Sequence, residues 1–413
     1  MYKPMFIPPA DSRLLVNFTN AILPAAARAL AKIHDVRFSP DDFAHAEALR
    51  PTRALLSANH PTGDDPFVFF WLSRMLKQRF NYMAAREVFV GPKGWLLNRL
   101  GAYSVIRGAP DREALRTTRR LLAEEDRKVV IFPEGEIYGH NDRLLSFQSG
   151  VPQLGFWSLD DLQKAGRKPE LPLLPIAIKY RCCESARPII ECSLAGLERA
   201  VKLETNAATG QYQRLLRVGD QVITRLEKDE GIKPDPGGDL KARVPKVRDA
   251  MMVRVARAIG VTVDQNQPVQ ERLHLLQHDL KSWIGLPSGD FTEYDEKLYR
   301  QRMQIGAPLF KEMLRIQNFL VITGDYIASN PTAERFLEVL VRVESEVFGE
   351  VRTRWPREAL VRIAPPIRLE ERYDAYRQSK RTVVNDITQE MENTIRTMLQ
   401  ELSSHSTPIS LEA

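Results

Sequence analysis

Residues 54–66 have the sequence Ala-Leu-Leu-Ser-Ala-Asn-His-Pro-Thr-Gly-Asp-Asp-Pro. The small and apolar residues 54–58 predict a short buried strand, and the polar turn that follows brings His60 to the end of that strand. Asp65 comes five residues later, so its carboxylate can accept a hydrogen bond from Nδ1 of the ring and leave Nε2 basic. A histidine followed by an aspartate is also common as a helix cap or as a buried hydrogen-bonded pair, so these two residues alone leave both interpretations open.

Short apolar runs alternate with longer mixed segments from residue 50 to residue 200. This alternation predicts an α/β fold with a mixed, mostly parallel sheet flanked by helices. The predicted strands are 53–58, 81–85, 103–106, 128–132, 173–179 and 188–192, and the predicted helices are 65–79, 95–100, 111–125 and 150–164.

The segment from 205 to 350 has a different pattern, typical of an all-α unit. Its amphipathic periodicity predicts helices over 212–228, 240–259, 269–284, 295–326 and 332–348. Strand character returns at 359–367, and a further helix is predicted over 383–402.

The N-terminal segment 13–33 carries apolar residues at helical spacing: Leu14, Phe18, Ile22, Leu30 and Ile33. We expect Pro24 to kink this helix or to start a second one. The stripe either packs on its own domain or lies in a membrane interface, where Arg13 and Arg28 would meet headgroups. No run reaches the ~20 apolar residues of a membrane span, and the N-terminus lacks the pattern of a secretory signal.

The chain of 413 residues has a net charge of +6, and the whole excess lies in residues 1–200. Ordinary surface variation explains such an excess, and so does attraction to anionic headgroups or an acidic carrier. No helix-turn-helix or zinc-finger pattern accompanies the basic residues, so nucleic acid is not an expected partner. Cys182, Cys183 and Cys192 have no metal-site spacing and are predicted to be reduced core residues of an intracellular protein.

Three further segments complete a pattern that begins at His60. They are Gly-Ala-Tyr-Ser-Val-Ile-Arg-Gly at 101–108, Val-Val-Ile-Phe-Pro-Glu-Gly-Glu at 129–136 and Leu-Pro-Leu-Leu-Pro-Ile-Ala-Ile at 171–178. In this order the four blocks resemble those of the glycerolipid acyltransferase family, the membrane enzymes that acylate glycerol-3-phosphate and lysophosphatidate. The resemblance covers residues 50–181.

The resemblance implies an O-acyltransferase that moves a fatty acyl group from acyl-CoA or acyl-carrier protein to a hydroxyl of a lipid such as lysophosphatidate. His60 is then the general base and Asp65 the carboxylate that orients it, with Asp64 as the rival carboxylate. No acyl-enzyme, metal or cofactor is expected. The alternatives are an acyltransferase with a different lipid acceptor and a catalytically inactive lipid-binding protein.

The same resemblance implies acceptor or phosphate binding by Arg86, Arg107, Glu134 and Gly135. Arg107 follows a predicted strand and precedes the helix near Asp111, which suits a phosphate. Glu134 either accepts a hydrogen bond from the acceptor hydroxyl or braces its own loop. The chain departs from the family after Gly135, because Glu136-Ile137 replaces the usual Thr or Ser followed by Arg.

A closing strand and helix in the family imply that the all-α unit is inserted before the last core strand. We therefore expect an N-terminal amphipathic helical segment at 1–49, the α/β core at 50–204, the helical insertion at 205–350, the closing strand and helix at 351–402, and a mobile tail at 403–413. The expected partners are a lipid acceptor and an acyl thioester, with peripheral association at the cytoplasmic face of a membrane. Self-association stays open.

Overall fold

The computed structural model describes residues 6–106, 111–137, 139, 141–204, 209–285, 292–321 and 326–411. These residues form two compact units. The sheet unit comprises Phe6–Cys183 and Pro356–Ser406, and the helical unit comprises Glu184–Trp355 together with the residues after 406.

Within the described part of the chain, eight strands form one sheet in the sheet unit. They are β1 (Ile33–Phe38), β2 (Ala54–Ala58), β3 (Phe80–Ala85), β4 (Ala102–Val105), β5 (Lys128–Ile131), β6 (Pro172–Cys182), β7 (Arg357–Ile363) and β8 (Ile367–Arg368). The order is β1-β7-β6-β2-β5-β3-β4, and β8 pairs with β6. Strands β2 to β6 run parallel to one another, whereas β7 is antiparallel to β6. The predicted mixed, mostly parallel sheet is confirmed.

The helices, in chain order, are α1 (Arg13–Ala26), α2 (Pro40–Ala48), α3 (Pro66–Leu76), α4 (Gly91–Arg99), α5 (Arg112–Ala123), α6 (Gly150–Lys164), α7 (Arg187–Ala200), α8 (Gln211–Asp229), α9 (Leu240–Ile259), α10 (Val269–Ile284), α11 (Glu293–Val321), α12 (Ala333–Phe348), α13 (Tyr373–Gln378) and α14 (Lys380–Ser403). One apolar cluster joins α5, α6 and α14 to one face of the sheet, and a second joins α2 and α3 to the other face. Both faces are therefore buried, as a mostly parallel sheet requires.

Several sequence-based assignments are wrong. Residues 188–192, predicted as a strand, lie in α7 of the helical unit, and their apolar run packs one side of a helix. Cys192 of α7 and Cys183, which follows β6, are exposed, so of the three cysteines only Cys182 is the predicted core residue. The segment 1–49 is not only helical, because β1 follows the first helix; its polar sequence Ile-His-Asp-Val-Arg-Phe becomes a strand by pairing with β7.

The first helix continues past Pro24 into a π-helical turn, Ala27–Ala31. Among the described residues, this helix, Arg13–Ala31, is long and apolar enough to cross a membrane on length and composition alone, with a mean hydropathy of 1.3. The pattern of the sequence does not indicate this length, because single polar residues such as Asn17 and Asn20 interrupt a run that is apolar on average.

In the sequence, the helical unit comes between β6 and β7, which are adjacent strands of the sheet. The chain leaves the sheet after Cys183 and returns at Pro356, and the Cys183 N–H donates to the carbonyl of Pro356 at 3.2 Å. Strands β6 and β7 are therefore the two arms of a hairpin whose connection is a folded unit. This unit begins at Glu184 rather than at 205, since α7 packs on α8 and α12.

The C-terminal residues 407–409 are ordered against the helical unit rather than forming a mobile tail. Thr332 and Pro408 form an antiparallel bridge, and the Ile409 N–H donates to the carbonyl of Pro331 at 3.0 Å. These backbone bonds are long-range in sequence, so the polar composition of the tail gave no sign of them.

Helices α8, α9 and α10 begin 29 residues apart, at Gln211, Leu240 and Val269. The fourth residue of each helix is a buried arginine, and its partners lie 23 and 16 residues earlier. Arg214 binds Glu191 and Glu198, Arg243 binds Asp220 and Glu227, and Arg272 binds Asp249. Position 256, where the third acid would stand, is Ala. This is a structural repeat of 29 residues within the helical unit.

Candidate active site

The carboxyl ends of parallel strands meet at one edge of a sheet, and side chains that follow those ends come together there. Register pairs Ser57 of β2 with Ile131 of β5, and Ala58 of β2 with Ile176 of β6. His60 follows β2 by two residues, and Glu134 follows β5 by three. The fold thus assembles the His60 loop and the 133–135 turn from distant parts of the sequence.

His60 and Asp65 form the hydrogen bond that their spacing suggested. Nδ1 of His60 lies 2.6 Å from Oδ2 of Asp65. No hydrogen bond to Nε2 of His60 occurs among the residues that the structure describes, and the side chain is 10 % exposed. The carboxylate fixes the ring so that the basic nitrogen is the one left for a substrate.

The imidazole is also held from its flat side. Phe132 stacks on His60 with ring centroids 3.9 Å apart and an interplanar angle of 12°. Phe69 of α3 in turn packs edge-on against Phe132 at 5.6 Å. Because Phe132 sits directly after β5, the core of the sheet sets the plane of the imidazole ring.

The Asp65 carboxylate is fully buried and receives several further donors. The backbone N–H of Thr62 donates to Oδ2 at 3.0 Å, and the Thr62 hydroxyl donates to Oδ1 at 3.0 Å. The Tyr180 hydroxyl of β6 donates to Oδ1 at 2.8 Å. Together with the imidazole, these donors give both oxygens of the buried carboxylate hydrogen-bond partners.

Asp64, the rival carboxylate, points elsewhere. Its Oδ2 accepts from the guanidinium of Arg357, the first residue of β7. Arg357 also lies over the Tyr180 ring, with Cζ 4.3 Å from the centroid. Asp64 therefore ties the His60 loop to β7 and leaves the contact with the imidazole to Asp65.

Two buried asparagines extend the sheet where β2 ends. The Asn59 side chain bonds both the N–H and the carbonyl of Ile178, at 2.8 and 2.9 Å. The Asn141 side chain does the same for Tyr180, at 2.6 Å each. These side-chain amides take the place of a neighbouring strand, so the backbone N–H and carbonyl groups of Ile178 and Tyr180 in β6 have hydrogen-bond partners.

The residues around this site match a known family. The protein-family model described as Acyltransferase matches residues 42–179, from α2 to β6. Residues 42–179 are an acyltransferase domain of the glycerolipid acyltransferase family. No curated protein matches the chain.

Glu134 of the acyltransferase domain braces loops. Its Oε1 accepts from the backbone N–H of His60 at 2.7 Å, and its Oε2 accepts from the N–H of Leu145 at 3.3 Å. Burial, together with the nearby charges of Asp65 and Glu392, raises the pKa of Glu134 to about 7, although the two backbone donors favour the anion. Of the two roles considered from the sequence, the contacts match the brace.

Of the other three residues predicted to bind the acceptor or a phosphate, the structure describes Gly135 and Arg86. Gly135 has a positive φ of 73°, and a side chain there would collide with Gln148, so the turn after β5 requires glycine. Arg86 begins the short 3-10 turn Arg86–Val88 directly after β3, on the same edge of the sheet as His60. Arg107 lies outside the described residues. Ile137 is 37 % exposed, and its Cδ1 lies 3.9 Å from the position of a Cβ on Gly63.

Tyr180, Arg357 and Asn141 were not predicted as site residues. Tyr180 and Arg357 lie 115 and 293 residues from their partners in the His60 loop, and no local motif marks them. Only the alternation of β6, which places Tyr180 on the same face as Ile178 and Ile176, carried a usable signal. Among the described residues no group of three or more His, Cys, Asp or Glu is arranged to hold a metal ion.

Proposed function

We propose that the protein moves a fatty acyl group from a thioester, acyl-CoA or acyl-carrier protein, to a hydroxyl of a glycerophospholipid precursor such as lysophosphatidate. The observation that carries this proposal is the His60–Asp65 hydrogen bond of 2.6 Å inside an acyltransferase domain. The roles of His60 and Asp65 in the reaction are part of this proposal.

His60 acts as a general base through Nε2. It takes the proton of the acceptor hydroxyl while the oxygen attacks the thioester carbonyl carbon, the C–S bond of the tetrahedral intermediate breaks, and the imidazolium returns the proton to the departing thiolate. Asp65 stabilises the imidazolium and holds the tautomer. One carbon–oxygen bond replaces one carbon–sulfur bond, so the reaction needs neither a metal nor a redox group, and no serine nucleophile is required.

Release of free thiol by the purified protein tests the proposal. His60→Ala is expected to lower kcat by about 10²–10⁴-fold, the usual contribution of a general base, and a thermal melt checks that the variant is folded. His45→Ala, a histidine of α2 away from the site, is the matched control. Near-normal thiol release by the His60 variant would contradict the role of His60 as base.

The acceptor is the least constrained part of the proposal. Ile137 stands where the family has a basic residue, and it is exposed beside the His60 loop. This observation favours an acceptor without a phosphate at that point as the second candidate. A panel of lysolipids with and without phosphate separates the two, and thiol release that ignores every added hydroxyl acceptor would indicate thioester hydrolysis instead.

We also propose that the protein associates peripherally with a membrane. Leu14, Phe18 and Ile22 form a stripe along α1 and are 82 %, 61 % and 42 % exposed. A helix with an exposed apolar stripe next to basic residues suits an anionic lipid surface. Flotation with anionic vesicles is expected to recover the wild-type protein, and Phe18→Asp is expected to lower the recovered fraction several-fold. Equal recovery would contradict this role of α1.

A further inference from the structure

We propose that Tyr180 is a positioning residue for acyl transfer, whose hydroxyl anchors the Asp65 carboxylate to the rigid strand β6 and limits the negative charge presented to His60. The inference rests on the proposed role of His60 as general base. It assigns to this residue a task that neither the family match nor the sequence motifs indicate.

The contact divides the work between the two carboxylate oxygens. Oδ2 of Asp65 faces Nδ1 of His60 at 2.6 Å, and Oδ1 accepts from the Tyr180 hydroxyl at 2.8 Å. A carboxylate held at both oxygens cannot rotate about its terminal bond without losing a hydrogen bond. The orientation that serves the histidine is therefore fixed from the opposite side.

Tyr180 differs from the other donor to Oδ1. The Thr62 hydroxyl belongs to the same short loop as Asp65, so it moves with that loop. Tyr180 comes from the sheet, 115 residues away in sequence. Only Tyr180 among these two donors ties the catalytic loop to the frame of the protein.

The position of the Tyr180 ring is itself over-determined. The Asn141 side chain holds both backbone polar groups of Tyr180, and register pairs Tyr180 with Ala359 of β7. The Arg357 guanidinium covers the ring at 4.3 Å. The strand pairing, the Asn141 amide and the Arg357 guanidinium thus hold the ring so that its hydroxyl lies next to Asp65.

The hydroxyl stays a donor at every pH at which the enzyme would work. Burial, together with the nearby Asp65 charge, raises the pKa of Tyr180 well above its usual value of 10. A neutral donor spreads the charge of the carboxylate without cancelling it. If the donor is removed, the carboxylate charge concentrates on the side of the imidazole and stabilises the imidazolium more strongly.

Tyr180→Phe removes the donor and keeps the ring that packs under Arg357. We expect kcat for thiol release to fall by about tenfold, the effect of one hydrogen bond to a charged group, with little change in the KM of either substrate. We expect the acid limb of the kcat/KM profile to move up by about half to one pH unit, because the base keeps its proton to higher pH.

Tyr103→Phe is the matched control. Tyr103 of β4 is also a buried tyrosine, and its hydroxyl bonds Thr118 of α5 at 2.7 Å, on the other face of the sheet. The control variant loses one buried tyrosine hydrogen bond, to the neutral Thr118, so its melting temperature is expected to fall somewhat less than that of Tyr180→Phe, while its pH profile keeps the wild-type position.

Asp65→Ala, which removes both carboxylate oxygens, supplies the background that assigns the effect to Asp65. If Tyr180 acts through the carboxylate, adding Tyr180→Phe to Asp65→Ala causes no further loss of kcat, whereas the losses from independent roles would multiply. A Tyr180→Phe enzyme with the kcat and pH profile of Tyr103→Phe, or a full multiplicative loss in the double variant, would overturn the inference while thiol release that depends on His60 persists. Absence of thiol release from the wild-type protein would instead remove the proposed function, and the inference with it.

Discussion

At the scale of single residues, Glu134 shows how a motif side chain acquires its role from the fold. Its two oxygens hold the backbone of His60 and of Leu145, two segments that the sequence keeps apart. The carboxyl group is buried, and that burial raises its pKa from 4.5 to about 7. The brace therefore binds a proton more tightly in the folded state than in the unfolded chain.

This difference predicts how stability depends on pH. The native state holds the Glu134 proton between about pH 4.5 and 7 while the unfolded chain has lost it, so the stabilisation is complete below about 4.5 and is lost as the pH rises through 7. Glu134→Gln cannot titrate. The free energy of unfolding of the wild type, relative to this variant, is expected to fall by about 3 kcal/mol between pH 4.5 and 8. Parallel urea-denaturation curves for the two proteins across this range would contradict the prediction.

At the scale of elements, the 29-residue repeat explains an orphaned atom. Nε of Arg214 and Nε of Arg243 each donate to a glutamate at 2.9 Å. Nε of Arg272 is buried and has no hydrogen-bond partner among the residues that the structure describes. The residue that would supply the acceptor by the repeat is Ala256, itself buried in α9. A buried guanidinium nitrogen without an acceptor costs free energy.

Ala256→Glu is therefore expected to stabilise the protein. The new carboxylate would take the place that Glu227 holds beside Arg243, and the free energy of unfolding should rise by about 1–2 kcal/mol. Glu227→Ala makes the reverse change one repeat earlier and should cost about 1–3 kcal/mol, since the buried Nε of Arg243 loses its acceptor while Asp220 still binds the guanidinium. Urea denaturation measures both. Destabilisation by Ala256→Glu would show that the third repeat has packed its core too tightly for the acid.

At the scale of the whole molecule, the helical unit is an insertion into a hairpin. Its two ends meet where the Cys183 N–H donates to the carbonyl of Pro356. The long connection between β6 and β7 therefore adds little loop-closure entropy to the folding of the sheet unit. Since Cys182 and Arg357 are already in register, a two-residue Asn-Gly turn can close the same hairpin.

Replacing residues 184–355 by such a turn is expected to leave a soluble sheet unit that unfolds cooperatively and keeps thiol release dependent on His60. Removing only 205–350 should give a poorer protein, because α7 would lose α8 and α12 and expose its apolar face. Size-exclusion chromatography and thermal melts compare the two deletions. Aggregation of the first deletion, with the second behaving better, would contradict the boundary at Glu184.

The fold class was predictable because short buried strands and amphipathic helices have different hydrophobic periods, and the helices α6, α9 and α10 were predicted with their observed ends. Two of the failures have the same cause. Residues 188–192 are apolar enough for a strand but pack as one side of α7, and β1 is polar but is held by β7. Local pattern cannot decide where the partner is tertiary.

The sequence by itself determined the His60–Asp65 pair, here called the dyad, because the two residues lie within one loop and their spacing allows a hydrogen bond between their side chains. It also determined the alternation that makes a sheet edge. Only the tertiary structure decided what holds the dyad: Tyr180 and Arg357 reach the loop across 115 and 293 residues, and Glu134 reaches it across 74. Contacts of that range depend on strand register and on the return of the chain after the helical unit, and neither is written in the spacing of a motif.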